Sequence, residues 1–399
     1  SISPGQTTTA NITAKALTVS GITASNKTYD ASTSATLDSS SVSYSGLETG
    51  DIFTGSYSGV FANANVGTGK TINITSSYSG ADVNNYTVTD QSTTTANITA
   101  KVLTATASAS NKTYDGGTTA TTTLTFTGLI GSETLGQTVG STFDNKNVGS
   151  NKTVTVNSIT LADGSGLAAN YSISAGQTTT ANITAKSLTV SGITASNKTY
   201  DGNGVATLDA SSVAYSGLVS GDTFNGTYTG AFSDKNVGTG KTVTITPSYS
   251  GADVSNYSIT NHADVTANIT AKSITVSGIT ASSKTYDGST SSTLDASSVL
   301  YNGLISGDTF TGSYTGAFSN ANVATGKTVT ITSSYTGADV SNYTVTDQSS
   351  TTADISAKAL TATASASNKT YDGGTVATTT LILSGFIGSE TLTSSTSSS

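Results

Sequence analysis

Self-similarity at a period of about 85 residues constrains this chain more than any other feature. The segment NITAK closes at Lys15, Lys101, Lys186 and Lys272 and returns as DISAK closing at Lys358. A second marker, KTYD, places Tyr29, Tyr114, Tyr200, Tyr286 and Tyr371 at intervals of 85, 86, 86 and 85 residues. Such a period exceeds the roughly 20–50 residues of a solenoid coil. It suits a tandem array of small domains, each large enough for a modest core of its own.

The markers divide the chain into a truncated module's last strand at 1–15, modules at 16–101, 102–186, 187–272 and 273–358, and the first part of another module at 359–399 that runs into a Ser/Thr tail. Modules come in two types. Residues 16–101, 187–272 and 273–358 open on TVSGIT and later carry SYSGADV or SYTGADV. Residues 102–186 and 359 onward open on LTATASASNKTYDGG, a variant type. The ends read as cuts in a longer array, or as a natural terminus on one side only, and the lack of Met points to a processed or internal fragment.

A chain rich in Ser, Thr, Gly and Asn with 10% charged residues has the composition of a disordered segment, so the fold rests on pattern. Apolar residues alternate at Val243 and Ile245, at Tyr257 and Ile259, and at Val265, Ala267 and Ile269, which is the period of half-buried strands. Turns bearing Gly, Asn and Asp separate about seven short strands per module, including Gly221 and Asp222. The expected fold is all-β: a tandem array of small Ig-like β-sandwich or β-grasp-like modules. At Lys186 the buried parity switches from Ile183 and Ala185 to Leu188 and Val190 without Pro or Gly, so the joints should be stiff and the array an elongated rod.

The net charge of −8, with every basic residue a Lys, supplies no basic footprint for nucleic acid. No apolar run approaches the roughly 18 residues that would insert in a membrane. Without Cys, neither disulfides nor thiolate metal sites contribute.

Candidate chemistry is thin. NVGTGKT at 65–71 and 236–242 resembles the tail of a phosphate loop, but Ala64 and Lys235 stand where that motif needs Gly, so a Gly-bearing turn is expected. The lone His262 is not repeated in other modules, and no base sits beside a Ser or Thr nucleophile, which argues against an enzyme and against a cofactor. Aspartates fall singly in TYD, SGD and GADV turns, with none of the clustering that holds calcium, so no metal site is expected. Sequons such as Asn11, Asn73, Asn85 and Asn170 arise freely in this composition. Thr-x-Thr alternation at this period does not make a flat ice-binding face.

The recurring box comprises Tyr29, Asp30, Tyr114, Asp115, Tyr200, Asp201, Tyr286, Asp287, Tyr371 and Asp372. Its structural reading packs Tyr over a strand edge while Asp–Gly makes a tight turn. Its functional reading is a repeated ligand patch of tyrosines. Lys27 beside Asp30 also raises an internal isopeptide cross-link.

The pattern NKTYDG, SGL, GD, NVGTGKT, NY and TTANITAK resembles the YDG-type and related MBG-type repeats of large bacterial filamentous-haemagglutinin-like adhesins. The likeness runs module after module, with the box at 26–30, 111–116, 197–202 and 368–373; Ala31 replaces Gly in the first box and Ser283 replaces Asn in the fourth. It implies an exported, surface-associated or extracellular protein whose repeats form a stalk. The partners it implies are neighbouring modules of the same chain, other copies in a fibre, and host or matrix glycans. Two alternatives stay open: a repeated lectin-like module, and a self-assembling filament subunit sharing strands between chains.

Overall fold

Segments with apolar residues at every second position bury one face and leave Ser and Thr on the other. The computed structural model, which describes residues 5–393, is made of such strands almost throughout. In 16–101 they are β1 (Lys15–Ser20), β2 (Thr23–Ala24), β3 (Lys27–Thr28), β4 (Ser34–Ala35), β5 (Leu37–Asp38), β6 (Ser43–Ser45), β7 (Thr54–Phe61), β8 (Gly67–Ser79), β9 (Tyr86–Thr89) and β10 (Thr93–Thr99). Strands β3-β10-β8-β7-β4 make a five-stranded sheet, antiparallel except where β3 lies beside β10. Strand β1 sits between antiparallel β6 and parallel β9, and β2 pairs with β5. The five-stranded order recurs in each full repeat, as at Lys284–Thr285, Ser350–Ser356, Ala324–Thr336, Thr311–Phe318 and Ser291–Ser292.

The all-β expectation holds, and its finer form does not fit closely. An Ig-like sandwich is antiparallel in both sheets, whereas here β1 runs parallel to β9 and β3 to β10. A β-grasp needs a helix on its sheet, and the described residues contain only short 3-10 turns such as Val83–Asn85. The variant type differs locally: Thr104–Ala109 pairs with Thr122–Thr127 in a longer ladder, repeated at Thr361–Ala366 and Thr379–Ser384.

The chain divides into two compact units. One runs to Ser187 and includes Gly217–Thr223 and Ala252–Ser258; the other holds Leu188–Ser216, Phe224–Gly251 and the residues from Ile259 on. This is not one bead per repeat, and the cores show why. In the first unit Tyr29, Phe61, Ile72, Ala96 and Ile98 of one repeat share a buried cluster with Leu103 and Tyr171 of the next. In the second, Tyr200, Phe232, Val243 and Ile269 cluster with Ile274, Phe310 and Tyr343. Cores contained in one repeat, such as Leu17, Val19, Ile22, Phe53 and Tyr86, thus stand beside cores that cross the repeat boundary. Only Ala100 separates β10 from the next strand, Lys101–Val102, so no linker lets the two repeats part.

The expected strand at 1–15 does not form over 5–14. Ile12 is fully exposed, while its equivalents Ile98, Ile183, Ile269 and Ile355 are each 1% exposed. Those four lie on strands paired with a long hairpin arm, as β10 pairs with β8. Residues 1–4 and the tail at 394–399 lie outside the described residues. The NVGTGKT segment enters the long strand through a bulge, with the register shifting between Gly238 and Lys241 and Gly240 at φ 60°. That is a strand irregularity and no phosphate loop.

Ala31 adopts φ 60° where the other boxes carry Gly at φ 74–80°. Asp30 Oδ1 accepts the Ser32 N–H at 2.9 Å, matching Asp115 and Gly117 at 2.9 Å, so the turn is kept despite the Cβ. Left-handed backbone strains a residue with a Cβ by about 1–2 kcal/mol, and Gly returns part of that as unfolded-state entropy. Ala31→Gly should stabilise its repeat by roughly 0.5–1 kcal/mol in urea unfolding of the whole chain. A loss of stability would show that the left-handed turn is not the strained element.

Candidate functional site

Each box begins with a lysine whose ammonium folds back over its own loop. Lys112 Nζ donates to the carbonyl oxygens of Gly117 at 2.7 Å and Thr119 at 3.2 Å, pairs with Asp115 at 2.7 Å, and lies 5.7 Å from the Phe143 ring centre. Lys27, Lys198 and Lys284 repeat the arrangement over Phe61, Phe232 and Phe318. The amine is thus spent as a donor, and Lys27 meets Asp30 as an ion pair at 2.7 Å. Asp30, Asp115, Asp201, Asp287 and Asp372 serve alike as the acids of these turns. The box Asn caps the close of its repeat: Asn26 accepts the Asn97 N–H and Asn197 the Asn268 N–H, each at 2.7 Å, while Ser283 does so for Asp354 at 3.0 Å.

The tyrosine that this turn holds out points away from its own repeat. Tyr29 donates to Glu133 at 2.7 Å, Tyr114 to Asp222 at 2.8 Å and Tyr200 to Asp308 at 2.8 Å; Tyr286 donates to Glu390. Every acceptor lies 104 or 108 residues onward, in the following repeat. A second tyrosine meets the same carboxylate from that repeat: Tyr171 on Glu133 at 2.5 Å, Tyr257 on Asp222 at 2.5 Å and Tyr343 on Asp308 at 2.6 Å. The paired rings cross edge to face, with centres 5.3, 5.6 and 5.5 Å apart. The second phenol oxygen also accepts a backbone N–H, from Ile130 at 3.0 Å, Val219 at 2.9 Å and Ile305 at 3.0 Å.

An asparagine beside the second tyrosine ties the joint from the other side. Asn170, Asn256 and Asn342 are each 1% exposed. Their Oδ1 atoms accept the N–H of Val66, Val148 and Val237, each at 2.9 Å, from the NV loop of the preceding repeat. Their Nδ2 atoms donate to Asn65, Asn147 and Asn236. Asn170, a sequon residue, is consumed in this way.

Tyr29, Tyr114 and Tyr200 are buried against the next repeat and not over a strand edge of their own. Tyr286 is half-buried, and Tyr371 is 93% exposed. Around Tyr286 and Glu390 a cavity of about 350 Å³ is lined also by Val323, Leu360 and Phe386. Nothing local in the sequence pairs the acceptor acids with the second tyrosines. Their signal was the recurrent Asn-Tyr dipeptide at 85–86, 170–171, 256–257 and 342–343.

Burial, reinforced by the hydrogen bond to a carboxylate, pushes the phenols of Tyr29, Tyr257 and Tyr343 up to about 12. For Asp222 and Asp308 burial acts upward, and donation from the two tyrosines and a lysine outweighs it, holding both below the usual carboxylate range. No group of three or more His, Asp or Glu side chains that could hold a metal occurs among the described residues. The junction binds two successive repeats through shared hydrogen bonds.

A five-stranded mixed sheet repeated in tandem and joined through shared carboxylates defines an all-β repeat protein. The family model for the YDG domain matches residues 13–96, 99–181, 184–267 and 270–353, and the chain belongs to that family. No curated protein matches the chain.

The junction sets two pH limits. A phenol raised above its ordinary pKa of about 10 stabilises the fold in full below that pH, and the contribution is lost as pH rises from about 10 toward 12. Carboxyls held below about 3.9 contribute fully above that pH, and their contribution is lost as pH falls through the folded value. Spectroscopic titration of the 18 tyrosines should show a late class, ionising as the β-sheet circular dichroism collapses. A single transition near 10 with the sheet intact would contradict the buried joint.

Proposed function

We propose that the chain is a structural segment, the stalk of an exported bacterial surface adhesin or extracellular filament, and that it is not an enzyme. One observation carries the reading: the most regular motif in the sequence is consumed in joining one repeat to the next. Tyr29, Tyr114 and Tyr200 are at most 5% exposed, so a glycan would find none of these rings free to stack on. The absence of a linker at Ala100 and the cores shared across boundaries favour joints that resist bending. The motif resemblance to filamentous-haemagglutinin-like adhesins supports export and surface attachment. On this reading the partners are neighbouring modules of the same chain and, in an assembled fibre, other copies.

Small-angle scattering of the soluble chain tests the proposal. Modules of about 30–45 Å each, from strand lengths plus turns and tilt, give a maximum dimension well above about 100 Å. A compact body of 399 residues has a radius of gyration near 21 Å, and that value would rule out the stalk.

A further inference from the structure

The junctions are not all alike, and the difference follows the type of repeat that comes next. The NV loop carries Lys146 in 102–186 and Lys235 in 187–272, both followed by a TVSGIT-type repeat. It carries Ala64 in 16–101 and Ala321 in 273–358, both followed by the variant type. The receiving ends explain the choice. A TVSGIT-type repeat presents two acids: Asp222 with Asp253, and Asp308 with Asp339. In each pair the second acid caps the backbone N–H after the first, Asp253 on Thr223 and Asp339 on Thr309 at 2.9 Å. The variant repeat presents Glu133 alone, and Ser165 Oγ supplies the equivalent cap on Thr134 at 2.8 Å.

Two carboxylates brought together away from water need a cation, while one carboxylate receiving two phenols does not. Lys146 meets Asp222 at 2.9 Å and Asp253 at 2.7 Å; Lys235 lies 3.4 Å from both Asp308 and Asp339. The side chains of Asp222 and Asp308 are 3% and 4% exposed, so solvent does little of this work. Each lysine also lies over the ring of its own box tyrosine, 5.8 Å from Tyr114 and 5.9 Å from Tyr200. Opposite the single acid, Ala64 packs on the apolar cluster of Tyr29 and Tyr171 instead.

We propose that this one position is a pairing code, lysine selecting a neighbour that presents two carboxylates and alanine a neighbour that presents one. The same two acid positions recur in the first repeat, where Asp82 caps the Ile52 N–H at 2.9 Å and Tyr86 donates to Asp51.

The test uses the whole chain and native-state hydrogen exchange at the amides of Ile305 and Asp308. Lys235→Met keeps the aliphatic stem and removes the charge; it should speed exchange there at least tenfold. Adding Asp339→Ser, which leaves one acid and a hydroxyl cap, should restore protection to within about threefold of the parent. The reciprocal pair reads the other junction at Ile130 and Glu133: Ser165→Asp should speed exchange, and Ala64→Lys should rescue it. Unchanged exchange in Lys235→Met would overturn the code. So would a double variant no better protected than the single one, since that is the outcome of a packing role without charge matching.

Discussion

A carboxylate held between two tyrosines of successive repeats is the interaction on which the rest depends. Asp222 and Asp308 sit where water is largely excluded and Glu133 is half-buried, and a buried carboxylate is tolerated only when donors surround it. One of those donors comes from the preceding repeat. The acid is therefore satisfied only when both repeats are folded and in contact, and hydrogen bonds to charged groups are the stronger class. This gives the joint directional chemistry as well as apolar burial.

The coupling answers a composition problem. Repeats of about 85 residues, poor in large apolar side chains, have room for only a modest core each. Here they pool what they have: Leu103 and Tyr171 complete the cluster begun by Tyr29, Phe61 and Ile98, and Ile274, Phe310 and Tyr343 complete that of Tyr200 and Phe232. Nearest-neighbour arrays of this kind derive stability from interfaces as well as from repeats. The self-folded lysine of each box serves the same end, because it fixes the loop that aims the tyrosine outward.

Much of the fold could be read from alternation and period. Val243 and Ala267 fall on the buried faces that their spacing requires, and the box turns form even with Ala31 in place of Gly. What stayed hidden was long-range pairing. Nothing local links Tyr200 to Asp308, because the pairing depends on how one repeat's box meets the next repeat's GD turn. The same GD turn read as punctuation, since Gly and Asp mark turns whether or not the acid has a second duty. Alternation alone does not suffice at 5–14, where the pattern of a strand is present and no strand forms. A strand is made by its neighbours as much as by its own residues.

The central claim is that the box tyrosine belongs to two repeats at once. Hydrogen exchange along the whole Tyr200→Ala chain measures it directly. Truncating a buried aromatic of this size costs about 3 kcal/mol. The account predicts that this loss shows both in the donor loop at 198–206 and across the boundary, in the amides of 304–310 and 339–343. Loss confined to 187–272, with 304–310 and 339–343 as protected as before, would contradict it.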